Sequence, residues 1–192
     1  YLHISYLFER SRLHAYTADF ASLAAQEFAV NFENFDDNSL IDLDTRKQGM
    51  HGSPAATKVN LAMEEIKLLR VRELKEDILM RIFNASLQIC RYKPAFDALL
   101  VFGNPVLRKT SLQALLQSLI ATNRINTLLS LPFPDYLLPE VDDILLSLAR
   151  KHLSFSPTPT PGQPQYHQVM YTWRIHNNDF RGAAEILFER LQ

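Results

Sequence analysis

The 192-residue sequence is short of the residues that build disulfide frameworks, phosphate loops and charged surfaces: it has one Cys, five Gly, and 20 Lys+Arg balanced by 21 Asp+Glu. A single Cys excludes an intramolecular disulfide framework and a Cys-based zinc site, and it suits a reducing compartment. A formal net charge of −1 argues against a general nucleic-acid or membrane-surface binder, because both draw on a surplus of cations. No apolar run reaches about 18 residues, so no membrane-spanning helix is expected. Gly49 and Gly52 lack the Lys-Ser/Thr that follows, and the strand that precedes, a phosphate-binding loop. What remains is 47% apolar and 21% charged residues, enough to bury a core. The weight of Leu, Ala, Glu, Gln and Arg favours helix, and no period-2 alternation marks a strand. The chain opens at Tyr1, already in helical pattern, without an initiator Met or a signal peptide. It is read as a soluble, intracellular fragment of a longer protein.

Apolar spacings of three and four then divide the chain. Leu2 to Phe8 reads as a helix end. Ser11 is the expected cap of a second helix striped by Leu13, Tyr16, Phe20, Leu23, Ala24 and Phe28. The pattern stops over residues 31–58, an acidic flexible loop carrying Glu33, Asp36, Asp37, Asp42 and Asp44. Leu61 to Arg91 carries two stripes, one with Ile78 and Ile82 and one with Phe83 and Cys90, and is expected to be buried from both sides. Pro94 is expected to open the next helix, and Gly103-Asn104-Pro105 is expected to be a turn. Further helices follow at Leu107–Ile120, after Asn123, and at Val141–Ala149. Residues 156–164 (SPTPTPGQP) form a proline-rich linker. In the last pair, Tyr166, Met170 and Trp173 face Gly182, Ala183 and Ala184, with Asn177-Asn178 ending one helix and Asp179 capping the next. Ile78, Ile82, Phe83, Trp173, Phe180 and Ala183 are the expected core. The fold expected is all-α: an irregular α-solenoid of about eight helices packed as antiparallel neighbours in a single domain, 1–192. Strict tetratricopeptide or HEAT periodicity is not evident.

The search for chemistry finds no catalytic constellation. The six His make no His-x3-His pair, and His167 reads as a surface residue. Cys90 reads as a small buried hydrophobe. Asp142-Asp143 and Glu64-Glu65 read as solvated charge pairs, and the basic residues around Arg70 alternate with acids that cancel their field. No metal, cofactor or small-molecule substrate is expected. Ser53, Ser156, Thr158 and Thr160 each precede Pro in an expected loop and are candidate phosphorylation sites.

Three stretches carry a resemblance: Arg108 to Pro134 (RKTSLQALLQSLIATNRINTLLSLPFP), Glu140 to His152 (EVDDILLSLARKH) and Tyr166 to Leu191 (YHQVMYTWRIHNNDFRGAAEILFERL). Together with the opening pair Tyr1 to Phe28, they resemble the C-terminal helical region of the nucleoporin 120/160 family, a short-arm subunit of the Y-shaped nuclear pore scaffold complex. The resemblance implies a non-enzymatic scaffold at the nuclear envelope. It would bind the stalk subunit and the second short-arm subunit at the hub of the Y, and so support pore assembly, mRNA export and protein transport. It implies no direct nucleic-acid contact and no membrane insertion. Phe133 and Tyr136, in the surface loop Leu131 to Pro139, and Arg181 and Phe188 on the last helix are the candidate partner-binding residues. The alternative is a helical accessory or scaffold domain of another assembly: a vesicle coat, a proteasome-lid-like complex or the regulatory part of an enzyme.

Overall fold

A computed structural model describes residues 1–32, 54–155 and 165–191. Among the described residues there are nine helices and no strand. They are α1 (Leu2–Arg10), α2 (His14–Phe32), α3 (Pro54–Gln88), α4 (Tyr92–Val101), α5 (Pro105–Ala121), α6 (Ile125–Ser130), α7 (Leu138–Phe155), α8 (Tyr166–His176) and α9 (Phe180–Leu191). The fold is an all-α, irregular solenoid type, in which helices pack chiefly on their neighbours in sequence. Helix lengths run from 6 to 35 residues, which blurs any fixed repeat in the sequence. Most of residues 31–58 and the whole 156–164 stretch lie outside the described residues. So do Ser53, Ser156, Thr158 and Thr160. The ends of the first stretch are helical: α2 runs through Phe32, and α3 begins at Pro54.

The chain divides into two compact units, Tyr1–Ile89 and Cys90–Gln192. In the first, α2 packs against both α1 and α3. Its buried face is Thr17, Ala18, Ala21 and Ala24, while Leu13, Tyr16 and Leu23 of the expected stripe are exposed. The register differs from the sequence reading because the short alanines admit a helix closely, and large side chains are not needed there. Leu68, Ile78, Ile82, Phe83, Ala85 and Ser86 are buried on α3, whereas Met63, Ile66 and Leu69 are exposed. Burial from two sides therefore does not hold around Met63 to Leu69. Phe8 of α1 stacks on Tyr16 (5.2 Å) and Phe20 (5.3 Å) of α2. Arg81 ties α3 to α1: its guanidinium hydrogen-bonds Glu9 and Asp77 and lies 5.1 Å over the ring of Tyr6.

The second unit holds α4 to α9. Phe96 and Leu99, then Leu112, Leu115, Leu116 and Leu119, then Val141, Leu145 and Ala149, then Met170, Trp173, Ala183 and Ile186 form its core. Asn104 caps α5, its side-chain oxygen accepting from the Val106 and Leu107 amides, and Pro105 takes the first helical position, where no amide is needed. Pro94 does not open α4; Arg91 is the N-cap, and Pro94 falls in the first turn, where a missing amide is equally harmless.

Tight turns replace the missing glycines. After α1, α5 and α8 the chain reverses through a residue of positive φ: Arg12 (58°), Asn123 (55°) and Asn178 (61°). In each, two backbone bonds close the helix end, as in Leu13 N–H to Phe8 O (2.9 Å) and Arg12 N–H to Glu9 O (2.9 Å). This is the Schellman pattern. Ser11 is thus the C-cap of α1 and not the N-cap of α2. Cys90, after α3, has φ 57° and is exposed. A turn position that leaves its side chain in solvent overrides the apolar spacing that suggested burial.

Candidate functional site

The last helix has two unlike sides. With about 100° per residue, Gly182, Ala183 and Ile186 share one side and are buried, in the α9 helix that packs closely on α8. Phe180, Ala184, Leu187 and Phe188 fall roughly 140° round the axis. They are exposed, Phe180 by 64%, Leu187 by 47% and Phe188 by 63%. The spacing i, i+4, i+7, i+8 is that of a helix face made to be covered. Phe180 is therefore not a core residue: as the first residue after the cap, it points to the side away from Ala183 and Ile186. Arg181, with its side chain 93% exposed, pairs with Glu185 (3.3 Å) along one flank. Glu189 pairs with Arg150 of α7 (2.7 Å). The hydrogen bond from Arg150 holds the Glu189 carboxyl below its ordinary range, and the same bond raises the Arg150 guanidinium. The site is thus an apolar stripe with charged edges, which is the composition of a protein-docking surface.

A buried charge cluster fixes α9 in place. Arg174 of α8 is only 9% exposed. Its Nε and Nη2 donate to the carboxylate of Asp142 on α7 (3.3 and 3.0 Å), and its Nη1 donates to the Gly182 carbonyl (2.9 Å). Asp179 lies 3.7 Å from the same guanidinium and, as the expected N-cap of α9, accepts from the Gly182 amide (2.9 Å). A Cβ at Gly182 would overlap the Asp179 carboxylate and Arg174 Nη1. A side chain here would have to displace the Asp179 carboxylate and the Arg174 guanidinium from their contacts with the Gly182 backbone. The sequence reading missed Arg174 altogether and took Asp142 for a solvated acid. Its one signal was Asp142 on the otherwise apolar stripe of α7.

Ile78, Ile82, Phe83, Trp173 and Ala183 are buried. Phe133 is half-buried and not a free surface anchor: its ring lies edge-on between Phe96 (5.0 Å) and Trp173 (5.5 Å). The Pro132-to-Pro134 loop turns it inward onto aromatic neighbours. Tyr136 is 58% exposed, with the Arg108 guanidinium 5.6 Å over its ring. Arg181 and Phe188 share α9, and Tyr136 stands on a separate turn before α7. His167 is half-buried, with ring nitrogens shielded from solvent, so it is not the surface residue its position suggested. Among the described residues no group of His, Cys, Asp and Glu is arranged to hold a metal ion, and no helix is long and apolar enough to cross a membrane.

These features define a helical-repeat protein with an exposed apolar face on α9. The family described as Nucleoporin Nup120, HEAT repeats, matches residues 1–121. Nucleoporin NUP120 of Chaetomium thermophilum is 38% identical over 119 residues, 62% of this chain and 9% of that protein. Nucleoporin nup120 of Schizosaccharomyces pombe is 28% identical over 120 residues, 60% of this chain and 10% of that protein. The chain belongs to the nucleoporin Nup120 family, and so to the constituents of the nuclear pore at the nuclear envelope. The HEAT description accords with the helical solenoid, and the uneven helix lengths, from 6 to 35 residues, are why no strict periodicity is evident in the sequence. The matched segments span about a tenth of the length of these relatives, and α9 lies beyond residues 1–121 that the family matches.

Proposed function

We propose that this chain is a structural segment of the pore scaffold that docks other scaffold nucleoporins at the hub of a Y-shaped complex, contacting its stalk subunit and its second short-arm subunit. The role is architectural and non-catalytic, needs no cofactor, and serves mRNA export and protein transport by building the pore. The observation that supports it is the exposed stripe Phe180, Ala184, Leu187 and Phe188, with Arg181 as a rim contact and Tyr136 as a second anchor. A stable contact of this kind buries about 1,200–2,000 Å² in total, so the stripe forms the centre of a larger footprint. Residues 1–192 act as one helical domain in this reading; a single cooperative melting transition supports that, and two separate transitions oppose it. Ser53, Ser156, Thr158 and Thr160 are proposed as phosphate acceptors that loosen such contacts by adding charge. Their absence from phosphopeptide maps of dividing cells would remove that part.

The test is affinity capture of the tagged chain from nuclear-envelope extract at moderate salt. The native chain is expected to retain scaffold nucleoporins, and the double variant Leu187→Ser, Phe188→Ser to lose them while melting at an unchanged temperature. Retention of the same proteins by the double variant would contradict the proposal.

A further inference from the structure

We propose that a polar cleft in the first unit binds an extended acidic peptide of a partner protein, taking its carboxylate on Arg12 and its backbone on Asn84 and Gln88. The cleft has a volume of about 390 Å³ and lies where the α1–α2 turn meets the last two turns of α3. That is room for two or three residues and falls within the range of small-ligand sites. Its polar lining is Glu9, Arg12, His14, Thr17, Asn84 and Gln88.

Two of these groups are already engaged. The Glu9 carboxylate is bound by Arg81, and the Thr17 hydroxyl donates to the Leu13 carbonyl (3.1 Å). Four are open. Arg12 makes no ion pair among the described residues, so the one acid in the cleft does not neutralise it. His14 lines the same cleft. Asn84 and Gln88 are exposed and stand one helical turn apart, each offering an amide donor and an acceptor. A guanidinium selects a carboxylate through paired N–H donors, and two amides about 6 Å apart along a helix can read alternate peptide groups of an extended strand, which rise about 3.3 Å per residue and face the same side every second residue. Neither requirement is met by a nonpolar helix, so this cleft and the α9 stripe would take different kinds of partner.

The backbone adds a second argument. Arg12 holds φ 58°, a region where Cβ crowds the following carbonyl oxygen and Gly or Asn is preferred. The same position in the other two Schellman turns is Asn123 and Asn178. Arg12 thus combines a strained backbone with a place in the lining of the cleft, and strain of this kind is found at ligand-holding sites.

The variant that tests this is Arg12→Gly, which suits the backbone better and removes the cation, so loss of binding is not confused with loss of fold. The probe is a fluorescein-labelled octapeptide of alternating Asp and Ala, titrated by anisotropy with the 192-residue chain at low salt. Saturable binding with a Kd on the order of 0.1 mM is expected. Arg12→Gly should weaken it at least about tenfold, with no fall in melting temperature, and Asn84→Ala or Gln88→Ala about threefold each. Equal affinity for the octapeptide with Asn in place of Asp, unchanged binding by Arg12→Gly, or no saturation by about 5 mM would overturn the proposal. Displacement of the peptide by an equimolar amount of inorganic phosphate would overturn its peptide part, leaving a simple anion site.

Discussion

Arg174 is a cation with little access to water, and it is tolerable only because Asp142, Asp179 and the Gly182 carbonyl occupy its donors. Removing the guanidinium leaves two carboxylates partly buried without their partner. Arg174→Met is therefore expected to cost about 3 kcal/mol of folding free energy by urea denaturation. Arg174→Lys should recover little of it, since a point charge cannot reach all three acceptors. Gly182→Ala should cost about 1–3 kcal/mol by the overlap its methyl group creates. Trp173 is 3% exposed and edge-on to Phe133, so Trp173→Ala is expected to cost about 3–5 kcal/mol. A change of less than 1 kcal/mol would place it outside the core. Cys90 makes the opposite case. Its φ of 57° suits glycine, and Cys90→Gly should raise stability by about 0.5–1 kcal/mol in the same assay. Of these residues, Trp173 announced itself in the sequence through size and spacing, and Gly182 as a small residue facing it. Arg174 did not, because its partners are brought to it by two neighbouring helices.

At the scale of the helix, α9 is held by its N-cap, by the buried cluster and by the Arg150–Glu189 pair at its far end. That pair weakens in acid. A carboxyl held below its ordinary value of 4.5 contributes stability above that value and loses it as the pH falls through the folded value. With side chains 58% and 36% exposed, the contribution is screened, and Glu189→Gln should cost only about 0.2–0.5 kcal/mol at neutral pH. The difference should vanish in acid and shrink in high salt, as chemical denaturation across that range would show. Helix existence was legible for most of the chain, because proline, Asn104 and Asp179 punctuate it. The faces were less legible. Ala18, Ala21 and Ala24 bury α2 with almost no apolar bulk, and three αL turns carry Arg or Asn where glycine is the usual marker. Phe180 was misplaced because an aromatic residue beside a cap reads as core, while a single residue of rotation puts it on the outer side.

For the molecule as a whole, the family was readable from the residues, yet the matched portion, residues 1–121, is mostly the opening helices. The stretches Glu140 to His152 and Tyr166 to Leu191, which carried the sequence resemblance, lie beyond it. The proposed docking face is thus an inference from packing and exposure in this chain, and not from its relatives. The most direct measurement is hydrogen–deuterium exchange of the chain alone and in the complex captured from nuclear-envelope extract. The account predicts slowed exchange over residues 180–191 on binding, with little change in the already buried amides of α5. Unchanged exchange over α9 in a complex that contains scaffold nucleoporins would contradict it.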